Sequence, residues 1–435
     1  MNKIIVFFFS IVFFVSCSLN NETLNGFTNP GVDFDQLEKI DLRHTQPYKA
    51  MLFSDLFSSV KYIPLEETSQ SVIGDIEKME ITEKGDILVF DHRSRCVLKF
   101  SDEGKFLNTI GQAGHAENEY VEPLYMAYDG QNHQVVVYDN ARKCLKYYTE
   151  DGEYVESIHL PWYINSFEIL DKDKLLLYMQ YDEFASPDSI GYNYVVIDKN
   201  AKILNKFAPY KKQFFNALSN VFCKDKGHIY CHIPQTPIVN EVNADEMTPI
   251  FYIDFGERSI PQEWYGDSQF DQKLQESTNN NYTWDFFKSG NRSVFSFSQK
   301  DKDKNPLPTF FTYYNGKDVI YTNVFENDIY GRVSTDISPI YFKGKNVYFK
   351  AYPTSFDGYS NISVDVDLSK TMAKEIKQAI AERKIPEKLT DYLSCLMELY
   401  SKPSTKIVVT AEEKEEMLRL AKHRNPIIQV CTLKD

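Results

Sequence analysis

Asp91–Ile110, DHRSRCVLKFSDEGKFLNTI, and Asp139–Ile158, DNARKCLKYYTEDGEYVESI, align without a gap at an offset of 48 residues. Asp91 and Asp139, Cys96 and Cys144, Gly104 and Gly152, and Ile110 and Ile158 coincide, and Phe100/Tyr148 and Phe106/Tyr154 keep their aromatic character. Val195–Phe207, VVIDKNAKILNKF, is a third copy. Each copy is two apolar runs around a polar turn with Gly or Asn, the pattern of a β-hairpin. Later copies centre on Phe251–Gly256 and Phe311–Gly316.

A second hairpin series interleaves with these five. Its six members turn near Gly85, Gly130, Lys172, Gly227, Gly290 and Gly344. Two hairpins per unit make a four-stranded blade, and a period of about 45–60 residues is that of a β-propeller. Six inner hairpins predict an all-β, six-bladed propeller. The sixth outer hairpin is expected from the two ends of the chain, with Val60–Leu65 pairing with the strand in Asn425–Leu433. That pairing would close the ring and remove open sheet edges. Between about 368 and 424 the pattern changes to apolar residues three and four apart, which predicts a helical insertion in the last blade. Thr410-Ala-Glu-Glu413 is a capping-box start, and Asn425-Pro426 a stop.

The N-terminal residues carry a different signal. Lys3 precedes an apolar run, Ile4–Val15, broken only by Ser10. The run is too short to cross a bilayer and reads as a secretory signal. Its end, Phe14-Val15-Ser16-Cys17, resembles a bacterial lipobox, although Phe14 stands where an aliphatic is usual. The resemblance implies cleavage before Cys17, acylation of Cys17, and a protein that sits on a membrane without spanning it. The alternative is an ordinary signal peptide with a chance cysteine. The expected organisation is therefore 1–16 signal peptide, 17–58 acylated cysteine and tether, and 59–435 propeller. The expected location is the bacterial cell envelope, in the outer membrane, with the face undecided because no acidic cluster follows Cys17.

The 435 residues carry a net charge of −14 spread along the chain. A nucleic-acid binder needs clustered cations, so no nucleic-acid partner is expected. Cys96, Cys144, Cys223, Cys231, Cys395 and Cys431 show no metal spacing and no dense disulfide framework. Only Cys223 and Cys231 flank one hairpin closely enough to pair. Both also fit apolar strand positions as thiols, the favoured reading.

Asn108–Asp139 resembles the NHL repeat, in which G-x-x-G is followed by an aromatic, Pro, and a strand ending near Asp. Gly111, Gly114, Tyr120, Pro123 and Asp139 fill those places. The whole chain looks like the six-bladed, NHL-like propeller lipoproteins of Bacteroidales, closely in the first two blades and weakly after the third. The resemblance implies no general activity. Such propellers include peptide, protein, RNA and glycan binders and a few metal-dependent enzymes.

In a propeller the hairpin turns lie on one face and the connecting loops on the other. Here the long segments all belong to the loop face: Gly111–Pro123, Asp182–Tyr192, His232–Met247, Glu257–Asn280 and Gln299–Pro308. A pocket at the channel mouth on that face is the expected site. Arg93, Arg95, Arg142 and Lys143 form equivalent basic pairs in neighbouring blades, suited to a carboxylate or phosphate or to pairing between blades. Trp162, Tyr163, Trp264 and Tyr265 suit stacking on a sugar ring or packing between blades. His115 and Tyr120 belong to the same loop face. The resulting expectation is a binding or scaffold propeller for a glycan, peptide or protein, with no cofactor. The alternative is a metal-dependent lyase or lactonase using His92, His115 and Glu119. No nucleophile motif is present.

Overall fold

The computed structural model describes residues 37–179, 191–209, 221–232, 236–264, 269–277, 281–300, 306–330, 337–386 and 389–435. The signal segment 1–16, Cys17, Tyr265 and the loop residues 182–190 lie outside the described residues.

The described residues are mostly β. Twenty-four of the strands form six consecutive antiparallel groups of four, the fourth of which carries a fifth strand on its edge. Sheet one is Lys78–Ile81, Ile87–Asp91, Cys96–Phe100 and Phe106–Thr109. Sheet two is Pro123–Asp129, Gln134–Asp139, Cys144–Thr149 and Tyr154–His159. Sheet three is Ser166–Asp171, Lys174–Tyr178, Tyr192–Asp198 and Ile203–Pro209. Sheet four is Phe222–Asp225, His228–His232, Ile238–Val242 and Met247–Asp254, and sheet five is Tyr282–Ser289, Arg292–Ser298, Phe310–Tyr314 and Val319–Thr322. Sheet six joins Pro339–Lys343 and Asn346–Ala351 to Ile427–Leu433, which pairs on its other side with Phe57–Pro64.

The core lies between sheets rather than inside one. Leu88 and Phe90 of sheet one meet Met126 and Val137 of sheet two. Equivalent apolar clusters join sheets two and three, three and four, four and five, and five and six. A further cluster joins Val430 and Ile428 of sheet six to Val89 and Leu98 of sheet one. Strands buried on both faces read as nearly continuous apolar runs, as Ile87–Phe90 and Val135–Tyr138 do.

The repeat residues have structural reasons. The Asp91 carboxylate accepts hydrogen bonds from the Gly74, Arg93 and Ser94 amides, and that of Asp139 from the Val121 and Glu122 amides. Each aspartate thus staples the segment entering its sheet to the end of the second strand. Gly152, at φ 88°, leaves 2.2 Å between a would-be Cβ and the Thr109 carbonyl oxygen of the preceding sheet.

Two expectations need correction. Residues 37–58 are not all tether. Glu38–Asp41 adds a parallel strand to the outer edge of sheet four, and Ala50–Leu52 pairs in parallel with Val324–Glu326. The fourth outer hairpin turns at Asn243–Glu246, ahead of Gly256, so the expected loop His232–Met247 contains the strand Ile238–Val242. The cysteines among the described residues are all free, Cys223 and Cys231 included, as the strand reading favoured.

The helical segment contains Ser369–Ala381, Thr390–Ser401 and Ala411–Leu420. Thr410 Oγ1 accepts from the Glu413 amide and Glu413 accepts from the Thr410 amide, the reciprocal cap written in the sequence. The second helix buries Leu396 and Tyr400 against Val324 and Ile407. No helix among the described residues is long and apolar enough to cross a membrane.

Candidate functional site

The first strand of one sheet lies beside the first strand of the next at most junctions, including that between sheets six and one. Their starting ends therefore converge. They enclose a cavity of about 520 Å³ lined by Lys78, Tyr125, Asn165, Trp284, Asp285 and Ile340, among others. Lys78 and Tyr125 hold the same place in successive sheets: each lies opposite the residue preceding a repeat aspartate, Phe90 for Lys78 and Tyr138 for Tyr125.

Trp284 Nε1 donates to Ser298 Oγ at 2.6 Å, which fixes the indole at the pocket wall. Ser296 lines the same cavity with its hydroxyl buried and without a hydrogen-bond partner among the described residues. At the rim, Lys350 Nζ lies 3.1 Å from Asp75 Oδ1, which also accepts from Tyr352 OH at 2.9 Å. Glu77 is at the rim too, and burial pushes its carboxyl up against the opposing influence of His92.

The floor is charged and closed. Lys78 Nζ donates to Tyr125 OH at 2.6 Å and sits 3.3 Å from Glu80 Oε1. Below, Lys224 Nζ pairs with the buried Glu168 at 2.5 Å. Burial disfavours the Lys78 ammonium, but Tyr125, Glu80 and Glu168 outweigh it and raise the Lys78 pKa. Burial likewise raises Tyr125 to about 12 and pushes Glu80 up. Lys78 is therefore a fixed cation. It is no base or nucleophile near neutral pH, where catalysis would need a lowered pKa. A separate cavity of about 20 Å³ lies between Lys78, Lys224, Phe287 and Tyr341, which is room for about one water.

The residues singled out from sequence divide sharply. Tyr120 is a core residue, 1% exposed, whose hydroxyl donates to the Ile110 carbonyl. Trp162 is buried in the cluster between sheets two and three, and Trp264 packs on the cluster between sheets three and four. These three are packing residues, because the sheet faces they touch are apolar. Arg142 is engaged too: its guanidinium donates to the carbonyls of His115, Ala116 and Glu119 and ties down the Gly111–Tyr120 loop. Lys143 Nζ lies 4.7 Å from the Tyr163 ring centroid. Arg93 and Arg95 are exposed and line a second cavity of about 470 Å³ with His92, Val121, Glu122 and Ala141.

His115 is exposed and lines neither cavity, whereas His92 lines both. The Glu119 carboxylate accepts from Gln112 Nε2 and the Ala116 amide. Among the described residues no three His, Cys, Asp or Glu side chains come close enough to hold a metal ion. The pocket residues Lys78, Asn165, Trp284 and Asp285 escaped sequence reading because they sit in or beside strands. For Lys78, Asn165 and Asp285 the signal was a charged or polar residue at or beside the start of an inner hairpin.

Residues 37–381 match DUF4934, a domain of unknown function. No curated protein matches the chain. Among solved structures, a Bacteroides fragilis protein assigned as exported is similar, with a TM-score of 0.59 at 15% identity over 89% of this chain and 100% of that one. A DUF4221 family member from Bacteroides vulgatus gives a TM-score of 0.44 at 11% identity over 65% of this chain and 92% of that one. Virginiamycin B lyase from Staphylococcus aureus gives 0.37 at 9% identity over 67% and 81%.

Proposed function

The chain belongs to the DUF4934 family, and we propose that it is a lipid-anchored, six-bladed propeller of the cell envelope that binds a glycan in its central pocket. The apolar clusters that link each sheet to the next, and the sixth to the first, support a closed ring. The pairing of Phe57–Pro64 with Ile427–Leu433 supports closure by strands from both ends of the chain. The similar fold of the Bacteroides fragilis protein assigned as exported supports reading residues 1–16 as a signal, and the Cys17 anchor rests on the lipobox-like Phe14-Val15-Ser16-Cys17.

One observation carries the binding role: a cavity of about 520 Å³ whose wall holds an anchored indole among carboxylates, an amide and hydroxyls. An aromatic face with short polar side chains around it matches the alternating C–H and O–H faces of a sugar. The floor supports binding over chemistry, since its lysine stays charged and its carboxylates are paired.

A thermal-shift screen of the detergent-solubilised chain against glycans, peptides and divalent metals, with and without chelator, tests this. A bound ligand raises the melting temperature by mass action. The expected result is a glycan-dependent rise, indifferent to chelator and lost in Trp284→Ala. A rise with peptides alone, or one that chelator removes, would replace this reading with a peptide receptor or a metal-dependent enzyme.

A further inference from the structure

We infer that the glycan is acidic, and that Arg93 and Arg95 hold its carboxylate in the groove beside the central pocket. This rests on the glycan reading of the pocket and adds the chemical class of the ligand.

The two basic pairs expected from the repeat are equivalent in position but not in use. In sheet two both members are engaged, Arg142 by three carbonyl oxygens and Lys143 by the Tyr163 ring. In sheet one neither Arg93 nor Arg95 has an ion pair or side-chain hydrogen bond among the described residues, and both are exposed. They face a cavity of about 470 Å³. His92 lines this cavity and the central pocket alike, so the two share a wall. One ligand can enter the pocket and extend over His92 into the groove.

The backbone that presents the pair is fixed in advance. The Asp91 carboxylate accepts from the Arg93 and Ser94 amides, and the Arg95 amide donates to the His92 carbonyl. Arg95 is held at φ 49°, a left-handed conformation that a non-glycine residue rarely adopts. Lys143, its counterpart, has the same φ of 49°. The fold thus imposes the turn, while the arginine side chains stay available.

The groove contains one acid, Glu122. Its carboxylate is held by Asn140 Nδ2 at 3.1 Å and lies in no ion pair with either arginine. On a chain with a net charge of −14, two guanidinium groups without a partner among the described residues, set in a concavity, form a local positive site against an acidic background. Guanidinium forks match carboxylates in bidentate geometry.

Isothermal titration of the detergent-solubilised chain with tetragalacturonate and with its fully methyl-esterified form separates the possibilities, because both carry the same sugar backbone and each ester methyl removes one carboxylate charge. We expect the acid to bind about tenfold more tightly than the ester, with an advantage that shrinks as salt rises. Arg93→Gln with Arg95→Gln should remove that advantage and leave the ester unchanged. Both positions are exposed, so the melting temperature of the double variant checks that the fold is intact. Equal binding of acid and ester, or an unchanged preference in the double variant, overturns the carboxylate site while the glycan reading stands. Binding of neither form removes both. Binding of the acid alone, insensitive to Trp284→Ala but lost in the arginine variant, keeps the anion site and removes the pocket from the reading.

Discussion

Val430 in the last strand pairs across the ladder with Lys61 in Phe57–Pro64, so one sheet is built from residues near both ends of the chain. Val430 has Tyr348 on its other side and is nearly buried, whereas Lys61 belongs to the outermost strand of that sheet. Proline removes a donor and is tolerated best at an edge. Val430→Pro should cost on the order of 3 kcal/mol and Lys61→Pro clearly less. Urea midpoints of the two variants measure this, and equal losses would mean that the terminal strand is not central to the sheet.

Two glycines with similar backbones should respond differently to alanine. Gly85 has φ 93° with nothing within 4 Å of a would-be Cβ, whereas Gly152 has φ 88° and the Thr109 carbonyl 2.2 Å away. Gly85→Ala should cost only the left-handed strain, about 1 kcal/mol. Gly152→Ala must also push sheet two away from sheet one, and should cost roughly 2–4 kcal/mol. Thermal melts of the pair separate strain from close approach.

Arg142 holds the Gly111–Tyr120 loop by three carbonyl oxygens, and within the loop the Gly114 amide donates to the Tyr120 carbonyl. Arg142→Gln should release it at a cost of about 1–2 kcal/mol. Amide exchange should then accelerate at Gly114 and Tyr120 and stay slow in sheet three. Arg142→Lys should restore only part of the protection, because an ammonium lacks the planar fork.

His232 gives a pH dependence of known sign. It is 1% exposed, its Nε2 is shared between Thr236 O and Thr283 Oγ1, and burial lowers its pKa to about 4. Below the ordinary histidine pKa of about 6.5 the unfolded chain takes up a proton that the folded chain refuses. The contribution of His232 to stability is therefore complete above about pH 6.5 and falls as pH drops toward about 4, by roughly 3 kcal/mol in total. Denaturation midpoints at about pH 7, 6 and 5 should decline accordingly. His232→Gln should flatten that decline, and an unchanged slope in the variant would assign it to other groups.

Much of the architecture was legible in the chain, because hairpins are local. Alternating apolar runs, turn glycines and the offset between Asp91 and Asp139 are facts of sequence spacing, and the Thr410–Glu413 cap spans only one helical turn. The strand Glu38–Asp41 was not legible, since four residues with a single buried side chain carry no period strong enough to separate them from a tether.

By itself the sequence determined the repeating hairpins, the helical segment and the residue types available at the loop ends. Only the tertiary structure decided which of those residues face a ligand. Arg93 and Arg142 are equivalent in the repeat, yet one has no side-chain partner among the described residues and the other is consumed by a neighbouring loop. Trp162, between two strands, and Trp284, within Tyr282–Ser289, are alike as residue types, yet one fills the seam between two sheets and the other lines a pocket. The physical reason is that side-chain exposure depends on how neighbouring sheets pack, and that packing joins residues far apart along the chain.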